Sequence, residues 1–263
     1  MITKEQRHKR ILEILAEKVS LSPKQLAELV SVSEMTIRRD IKELSSRHLI
    51  ETFYGKVALS SNIDNNVPQH KSLDIYHTEQ EQHFQEKLQI AQYASQLIDA
   101  QDVICIDNGT TCCHIPDFFS RDTSCLIYSY SARTQARIIQ LKNENIQLFA
   151  LGGYYHSQLQ MYEYPEIIDI IKKLHINKMF LGTVGVSLDG SLSCVQPYEV
   201  PIRKALMEQS DQVILLADSS KIGKSWYDRY GSTKDLSMFI TDSGITAEQR
   251  SSLEKLGVNL VVV

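Results

Sequence analysis

The sequence predicts two domains of different class: an N-terminal α+β winged helix-turn-helix, then a larger α/β, Rossmann-like domain. Three observations carry this reading. Ser33-Glu34-Met35-Thr36-Ile37-Arg38-Arg39-Asp40-Ile41 opens on a residue able to cap a helix and places its two isoleucines four apart, which leaves hydroxyl and guanidinium groups outward. Residues 49–59 alternate around Gly55, as a small β-hairpin does. Beyond residue 100, apolar runs of four to six residues alternate with helical patterns, as expected of a mostly parallel sheet covered on both faces.

The 263 residues suit one domain of about 200 residues plus a small one. With 43% hydrophobic and 23% charged residues, the chain has an ordinary globular composition. No apolar run approaches the ~20 residues of a membrane span. Met1-Ile-Thr-Lys-Glu-Gln-Arg7 is charged where a signal peptide needs an apolar core. No membrane partner and a cytoplasmic location are therefore expected. The five cysteines are odd in number and lack a paired Cys-x-x-Cys spacing, so they read as reduced, mostly buried thiols. The net charge of −4 is unevenly divided: residues 1–58 hold eleven Lys+Arg against eight Asp+Glu, and the remainder seventeen against twenty-four. A basic small domain on an acidic large one suits a nucleic-acid reader joined to something else.

Taken in order, residues 5–17 form an amphipathic helix through Ile11, Ile14 and Leu15. Ser22 is an N-cap, Pro23 occupies the first helical position and Gln25 completes a capping box, starting a helix to about Val30. Ser31-Val32-Ser33 is a tight connection. Ser33 then opens a third helix ending near His48, with Ile37, Ile41 and Leu44 inward. Helix, short turn, then a helix with Ser/Thr and Arg near its start is how a helix-turn-helix presents donors to DNA. These elements define a DNA-reading domain at 1–58. An Asn-rich, Pro-broken linker occupies 59–76, and an α/β domain occupies 77–263. Within the last, a helix over 79–99 buries Leu88, Ala91, Ala94, Leu97 and Ile98. Strands are predicted at 103–106, 126–128, 146–151, 178–182, 213–217, 236–241 and 258–263, and helices up to 141 and at 163–174, 198–209 and 246–256.

The N-terminal motif is specific enough to be placed. Arg7, Ile11, Leu15, Ser33 and Thr36-Ile37-Arg38-Arg39-Asp40-Ile41 match, at fixed gaps, the DeoR-type helix-turn-helix of bacterial sugar-operon repressors, which the chain resembles. Candidate DNA contacts are Ser33, Thr36, Arg38, Arg39, Lys42 and Lys56. Of two adjacent arginines only one can point straight into a groove, and the sequence does not assign which. Ser33 is equally well explained as a cap, and Asp40 reads as a partner for a nearby cation. At the hairpin, family members usually carry Arg-x-His-Gly-Gly-Ala, whereas this chain has Thr52-Phe53-Tyr54-Gly55-Lys56-Val57; Lys56 is then the hairpin's candidate phosphate contact.

In a parallel sheet, ligands sit beyond the carboxyl ends of the strands. Here those ends read Asp107-Asn108-Gly109-Thr110-Thr111, Gly152-Gly153, Gly182 and Asp218-Ser219-Ser220-Lys221. Glycine lets a backbone approach an anion, hydroxyls add donors and Lys221 adds a point charge. Gly and Ser also simply make strand-to-helix turns, and spacing alone leaves the two readings level. Asp-x-Gly-Thr-Thr, Leu-Gly-Gly, the helix from Glu199 to Lys204 and Ala-Asp-Ser-Ser-Lys resemble the effector domain of the same family. That domain is similar in fold to ribose-5-phosphate isomerase and commonly binds a sugar phosphate as inducer. The resemblance implies effector contacts at Asp107, Gly109, Thr110, Thr111, Gly152, Gly153, Glu199, Asp218 and Lys221. Two departures stand out: Ser129-Tyr130-Ser131 replaces a usual Thr-Asn, and residues 154–164 hold four tyrosines.

Glu199 and Lys204 are five apart and do not face each other, so a surface or pocket-rim position is expected. Cys112-Cys113-His114 lacks a second ligand pair, and no metal or cofactor is expected. No catalytic acid–base pair stands out. The function these features imply is a transcriptional repressor of a carbohydrate-utilisation operon. It would bind double-stranded operator DNA as at least a homodimer and respond to a phosphorylated sugar. The alternative is a sugar-phosphate isomerase carrying a DNA-binding appendage, with Asp107 or Asp218 as base.

Overall fold

The computed structural model describes residues 3–17, 21–47, 49–53, 56–59 and 82–263. The chain folds as two compact units, Met1–Leu73 and Asp74–Val263. From residue 60 onward the predicted linker lies outside the described residues, as do 77–81.

In the first unit, α1 (Lys4–Glu17), α2 (Pro23–Val30) and α3 (Glu34–Ser46) precede a hairpin of β1 (Ile50–Phe53) and β2 (Lys56–Leu59). Ser22 and Gln25 form the capping box at α2, with Pro23 at its start. Ser31 ends α2 in the left-handed region, φ 57°, and Ser33 caps α3 two residues later. Ile11, Leu15, Leu26, Ile37, Leu44, Ile50 and Val57 are buried together. Leu21 and Val57 exchange two backbone hydrogen bonds, 3.0 and 2.8 Å, which tie the hairpin to the α1–α2 connection. The third helix ends at Ser46, short of His48, and its C-cap Arg47 pairs with Glu43.

Asp40 lies on the buried face of α3. Its carboxylate accepts from Arg7 Nε at 2.5 Å and Nη2 at 3.0 Å, and His8 Nε2 lies 3.0 Å away. Burial pushes this carboxyl upward, but the Arg7 and His8 hydrogen bonds outweigh it and hold its pKa below the ordinary value.

In the second unit, seven parallel strands stand in the order β14-β13-β11-β8-β3-β4-β5. They are β3 (Asp102–Ile106), β4 (Cys125–Ser129), β5 (Ile146–Ala150), β8 (Ile176–Gly182), β11 (Ser210–Leu216), β13 (Met238–Thr241) and β14 (Leu260–Val262). Alternate side chains serve opposite faces. Met179, Leu181, Val213 and Leu215 point to one cluster, and Phe180, Ile214, Leu216, Ile104 and Ile106 to the other. The second cluster is covered by α4 (Phe84–Ser95), a 3₁₀ helix (Cys112–Phe118) and α5 (Ala132–Leu141). The first is covered by α6 (Ile167–Ile171), α7 (Glu199–Glu208) and α8 (Ala247–Lys255). The chain leaves β3 toward β4 and β5, then returns to its other side at β8. This reversal makes a switch point between β3 and β8.

Several elements differ from the sequence expectation. The helix expected over 79–99 is described from Phe84 to Ser95, with Ile90 and Lys87 on its buried side beside Ala91 and Ala94, whereas Leu88 is half-buried. His83 precedes it with φ 53°, a value that cannot continue a helix. Lys178 Nζ takes the Leu97 carbonyl at 2.8 Å and pairs with Asp99 and Asp102 where the chain turns into β3. The helix expected over 163–174 shrinks to α6, and residues 154–163 form a hairpin of β6 (Tyr154–His156) and β7 (Met161–Glu163). An antiparallel sheet of β9 (Gly185–Val186), β10 (Ser191–Cys194) and β12 (Asp228–Ser232) was also unforeseen, its strands being short and largely polar. All five cysteines are buried, and none is in a disulfide.

Replacing Asp40 by Ala leaves Arg7 without its partner and should destabilise the first unit by about 3 kcal/mol. In the full chain this reads as lost hydrogen-exchange protection in α1 and α3, with the seven-stranded sheet unchanged. A lowered carboxyl pKa stabilises above the unfolded value of ~3.9 and is lost as pH falls through the folded one. The variant should therefore lose the corresponding acid-induced step of the parent.

Candidate functional site

Two surfaces carry the predicted residues, one in each unit. On α3, Ser33 Oγ accepts from Thr36 N at 3.2 Å and lies 2.8 Å from Thr36 Oγ1, so both hydroxyls are engaged in the cap. Arg38 is exposed and donates to Glu34, Nη2 at 2.7 Å and Nε at 2.9 Å. Arg39 and Lys42 are exposed. Lys56 enters β2, its backbone opposite Phe53, while Tyr54 and Gly55 of the turn lie outside the described residues. The core-facing stripe of Ile37, Asp40, Ile41 and Leu44 fixes which side of α3 is presented outward.

In the second unit, a shallow cleft opens at the switch point. Gly109, Thr110 and Thr111 from the loop after β3, Gly182 and Thr183 from the end of β8, and Leu216, Ala217, Asp218 and Lys221 beyond β11 line it. A Cβ on Gly109 would stand 3.7 Å from the Gly182 Cα, so the two loops run backbone to backbone. Asp218 caps the turn that carries Lys221, accepting from Ser220 N at 3.1 Å and from the Ser220 hydroxyl. Burial, with the nearby Lys224 charge, lowers Lys221 to about 8. A cation whose hydration is already stripped gains most from an incoming anion.

Behind the cleft lies a buried ion network. Asp107 accepts from Gly182 N at 2.8 Å, from Arg203 Nε at 3.2 Å and from the Tyr130 hydroxyl. Arg203, 3% exposed, also pairs with Glu199 at 3.1 Å, donates to the Asn108 carbonyl at 3.4 Å and lies 4.9 Å over the Tyr230 ring. Glu199 in turn accepts from Val195 N and Gln196 N, and the Tyr230 hydroxyl donates to Gly182 O at 2.8 Å. Burial alone would lower the Arg203 pKa; the Asp107 and Glu199 carboxylates override it and raise it well above the ordinary value. Burial, then the Asp107 charge, raises Tyr130 well above an ordinary phenol, so it keeps its proton at neutral pH and donates a hydrogen bond to Asp107.

The cleft thus unites Gly109, Thr110, Thr111, Asp218 and Lys221. It does not include Asp107, which is fully buried and orients the loop from behind. Glu199, expected at a rim, is 3% exposed and bound to Arg203. Gly152 and Gly153 also lie elsewhere, because β5 is the sheet's edge strand, two places from β3. Gly153 has a steric role there, whereas a Cβ on Gly152 would meet nothing within 4 Å. Gly153 has φ +144°, and a Cβ there would meet Glu163 O at 2.6 Å, so only glycine admits the β6–β7 hairpin. Sequence reasoning missed Thr183, Arg203 and Tyr230, and marked Tyr130 only as a departure from the family pattern. A signal for Arg203 existed, since it lies four residues after Glu199, the spacing that pairs side chains on a helix. His114, in the Cys112-Cys113-His114 run, bonds Asp117 at 2.8 Å, and among the described residues no cluster could hold a metal ion.

Replacing Arg203 by Met strands two buried carboxylates and should destabilise the second unit by about 3–5 kcal/mol. Trp226, the chain's single tryptophan, reports this in denaturant unfolding of the full chain. Adding Glu199→Gln should recover part of the loss, since the two changes share one interaction.

Residues 7–62 match the family of DeoR-like helix-turn-helix domains, and residues 82–243 the DeoR C terminal sensor domain. The uncharacterized HTH-type transcriptional regulator YulB of Bacillus subtilis is 30% identical over 98% of this chain and 96% of its own length. The glycerol-3-phosphate regulon repressor of Escherichia coli is 29% identical over 90% of each. Among solved structures, ribose 5-phosphate isomerase A of Methanocaldococcus jannaschii superposes on 52% of this chain and 54% of its own, at TM-score 0.38 and 16% identity. No described helix is long and apolar enough to cross a membrane. With regulators matching along nearly its whole length, the isomerase alternative does not hold. The chain belongs to the DeoR family, DNA-binding transcriptional regulators with a sugar-sensor domain and not enzymes.

Proposed function

We propose that this regulator represses a carbohydrate-utilisation operon and releases its operator when a phosphorylated sugar fills the cleft of the second unit. The observation that carries this is the meeting of Gly109, Thr110 and Thr111 with the buried Lys221 at the switch point of the sheet. A phosphoryl group there would take hydroxyl donors from the threonines and the Lys221 charge. Relatives whose names describe repressors, that of the glycerol-3-phosphate regulon among them, support the sign of regulation.

Two further atoms bear on the sugar that the phosphate would carry. Asn108 Oδ1 and Arg203 Nη1 are buried without a hydrogen-bond partner among the described residues. Asn108 adjoins Gly109, and Arg203 donates to its carbonyl. An unpaired acceptor and an unpaired donor behind the Gly109–Thr111 loop suit a sugar hydroxyl that reaches past it. Asp107 and Glu199 already neutralise Arg203, so a second phosphate finds no spare charge there. The effector in this reading is a monophosphate. The protein acts in the cytoplasm as at least a homodimer on a repeated operator, because helix-turn-helix readers gain specificity from paired half-sites. The ligand must prefer the DNA-free arrangement, with coupling of ~1–3 kcal/mol.

Genomic fragments selected by the purified protein should be few and share a repeated motif, and Arg38→Ala with Arg39→Ala should lose them without losing effector binding. Enrichment that survives the double replacement would mean that α3 is not the reading helix. Thr111→Ala with Lys221→Ala should abolish release by sugar monophosphates and leave operator binding intact. Effector affinity should rise as the phosphate gains its second charge near pH 6, then fall as Lys221 loses its proton near pH 8. Calorimetric titration across that range checks it.

A further inference from the structure

The outward side of α3 is not uniformly polar. Met35, in its first turn, is 67% exposed. Arg39 and Lys42 come four and seven residues later, the spacing of one stripe along a helix, and both are exposed. That stripe lies opposite the buried Ile37, Ile41 and Leu44. Arg38 lies beside it, and both its Nε and its Nη2 are taken by Glu34. On the other flank the Thr36 hydroxyl faces Ser33.

A bare thioether between cations contributes nothing to the core and costs solubility if it stays in water. The major groove offers it one apolar feature, the C5 methyl of thymine, and offers a guanidinium the N7 and O6 of guanine. The N-terminal residues of a recognition helix are those that reach base edges.

We propose that Met35 reads a thymine methyl in each operator half-site and that Arg39, not Arg38, reads the neighbouring guanine. Arg38 stays at the flank, shared between Glu34 and a backbone phosphate. This rests on the regulator reading and assigns the specificity-determining residues within it.

The test uses the full chain and a fragment recovered by genomic selection. Each thymine is replaced in turn by deoxyuridine, which lacks only the methyl. One position per half-site should lose affinity about three- to tenfold, the scale of one buried methyl in a packed contact. With Met35→Ala that position should become indifferent to the change, a double-mutant cycle between one side chain and one methyl. Arg39→Gln should relax the preference at a single guanine. Arg38→Gln should weaken all sequences alike and reduce the salt slope by about one. Because Met35 is exposed, its variant should keep the parent's unfolding midpoint.

Unaltered deoxyuridine sensitivity in Met35→Ala overturns the Met35 assignment, and so does loss of self-association, which would place Met35 against a second copy. Base relaxation by the Arg38 variant instead of the Arg39 variant overturns the arginine assignment. If the parent enriches no fragment at all, the regulator reading fails and takes this inference with it. Specific binding without a methyl-sensitive thymine overturns the inference alone.

Discussion

A single buried guanidinium holds the sensing unit in its working shape. Arg203 comes from α7, yet it joins the ends of strands that are distant in sequence: Asp107 after β3, Asn108 beside it, and Gly182 of β8 through Asp107 and Tyr230. A charge this deep survives only because two carboxylates face it and their remaining lone pairs take backbone amides. The consequence is positional. The Gly109–Thr111 loop and the Gly182 backbone are fixed against each other, with the cleft between them. Preorganisation of this kind removes ordering costs that a flexible loop would meet on binding.

The reading unit uses the same device on a smaller scale. Asp40 lies on the buried face of α3 and clamps α1 through Arg7 and His8. That clamp sets the rotation of α3 about its axis and so decides which side chains face outward. In both units, a buried carboxylate fixes an element whose other side carries the functional groups. The two clusters differ in what they present. One leaves Met35, Arg39 and Lys42 exposed, and the other leaves threonine hydroxyls and a stripped lysine at a cleft.

Much of this was legible in the residues because the signals are local. Caps at Ser22 and Ser33, the isoleucine spacing on α3 and the apolar runs of the sheet depend on near neighbours, and strand-end loops gather wherever a parallel sheet reverses. The Gly109–Thr111 loop and Lys221, read that way, line one cleft. Arg203 was not foreseen, because an arginine on an amphipathic helix reads as solvent-facing until the tertiary fold supplies its partners. Gly152-Gly153 lies away from that cleft for a related reason: a glycine after a strand can serve a close-packed hairpin, as Gly153 does, as well as an anion loop. The strands β10 and β12 were not seen because β10 is only four residues long and β12 has one apolar residue, Tyr230, in its five.

The molecule is a switch if one protein binds operator and sugar phosphate with mutual cost. Linkage requires that cost to be the same from either side. The direct measurement is therefore reciprocal: operator affinity with and without saturating effector, and effector affinity with and without saturating operator, in one buffer. Each ligand should weaken the other by the same factor, within about 5- to 150-fold. Two affinities that ignore each other would contradict the switch, leaving a DNA-binding protein and a sugar-binding protein that merely share a chain.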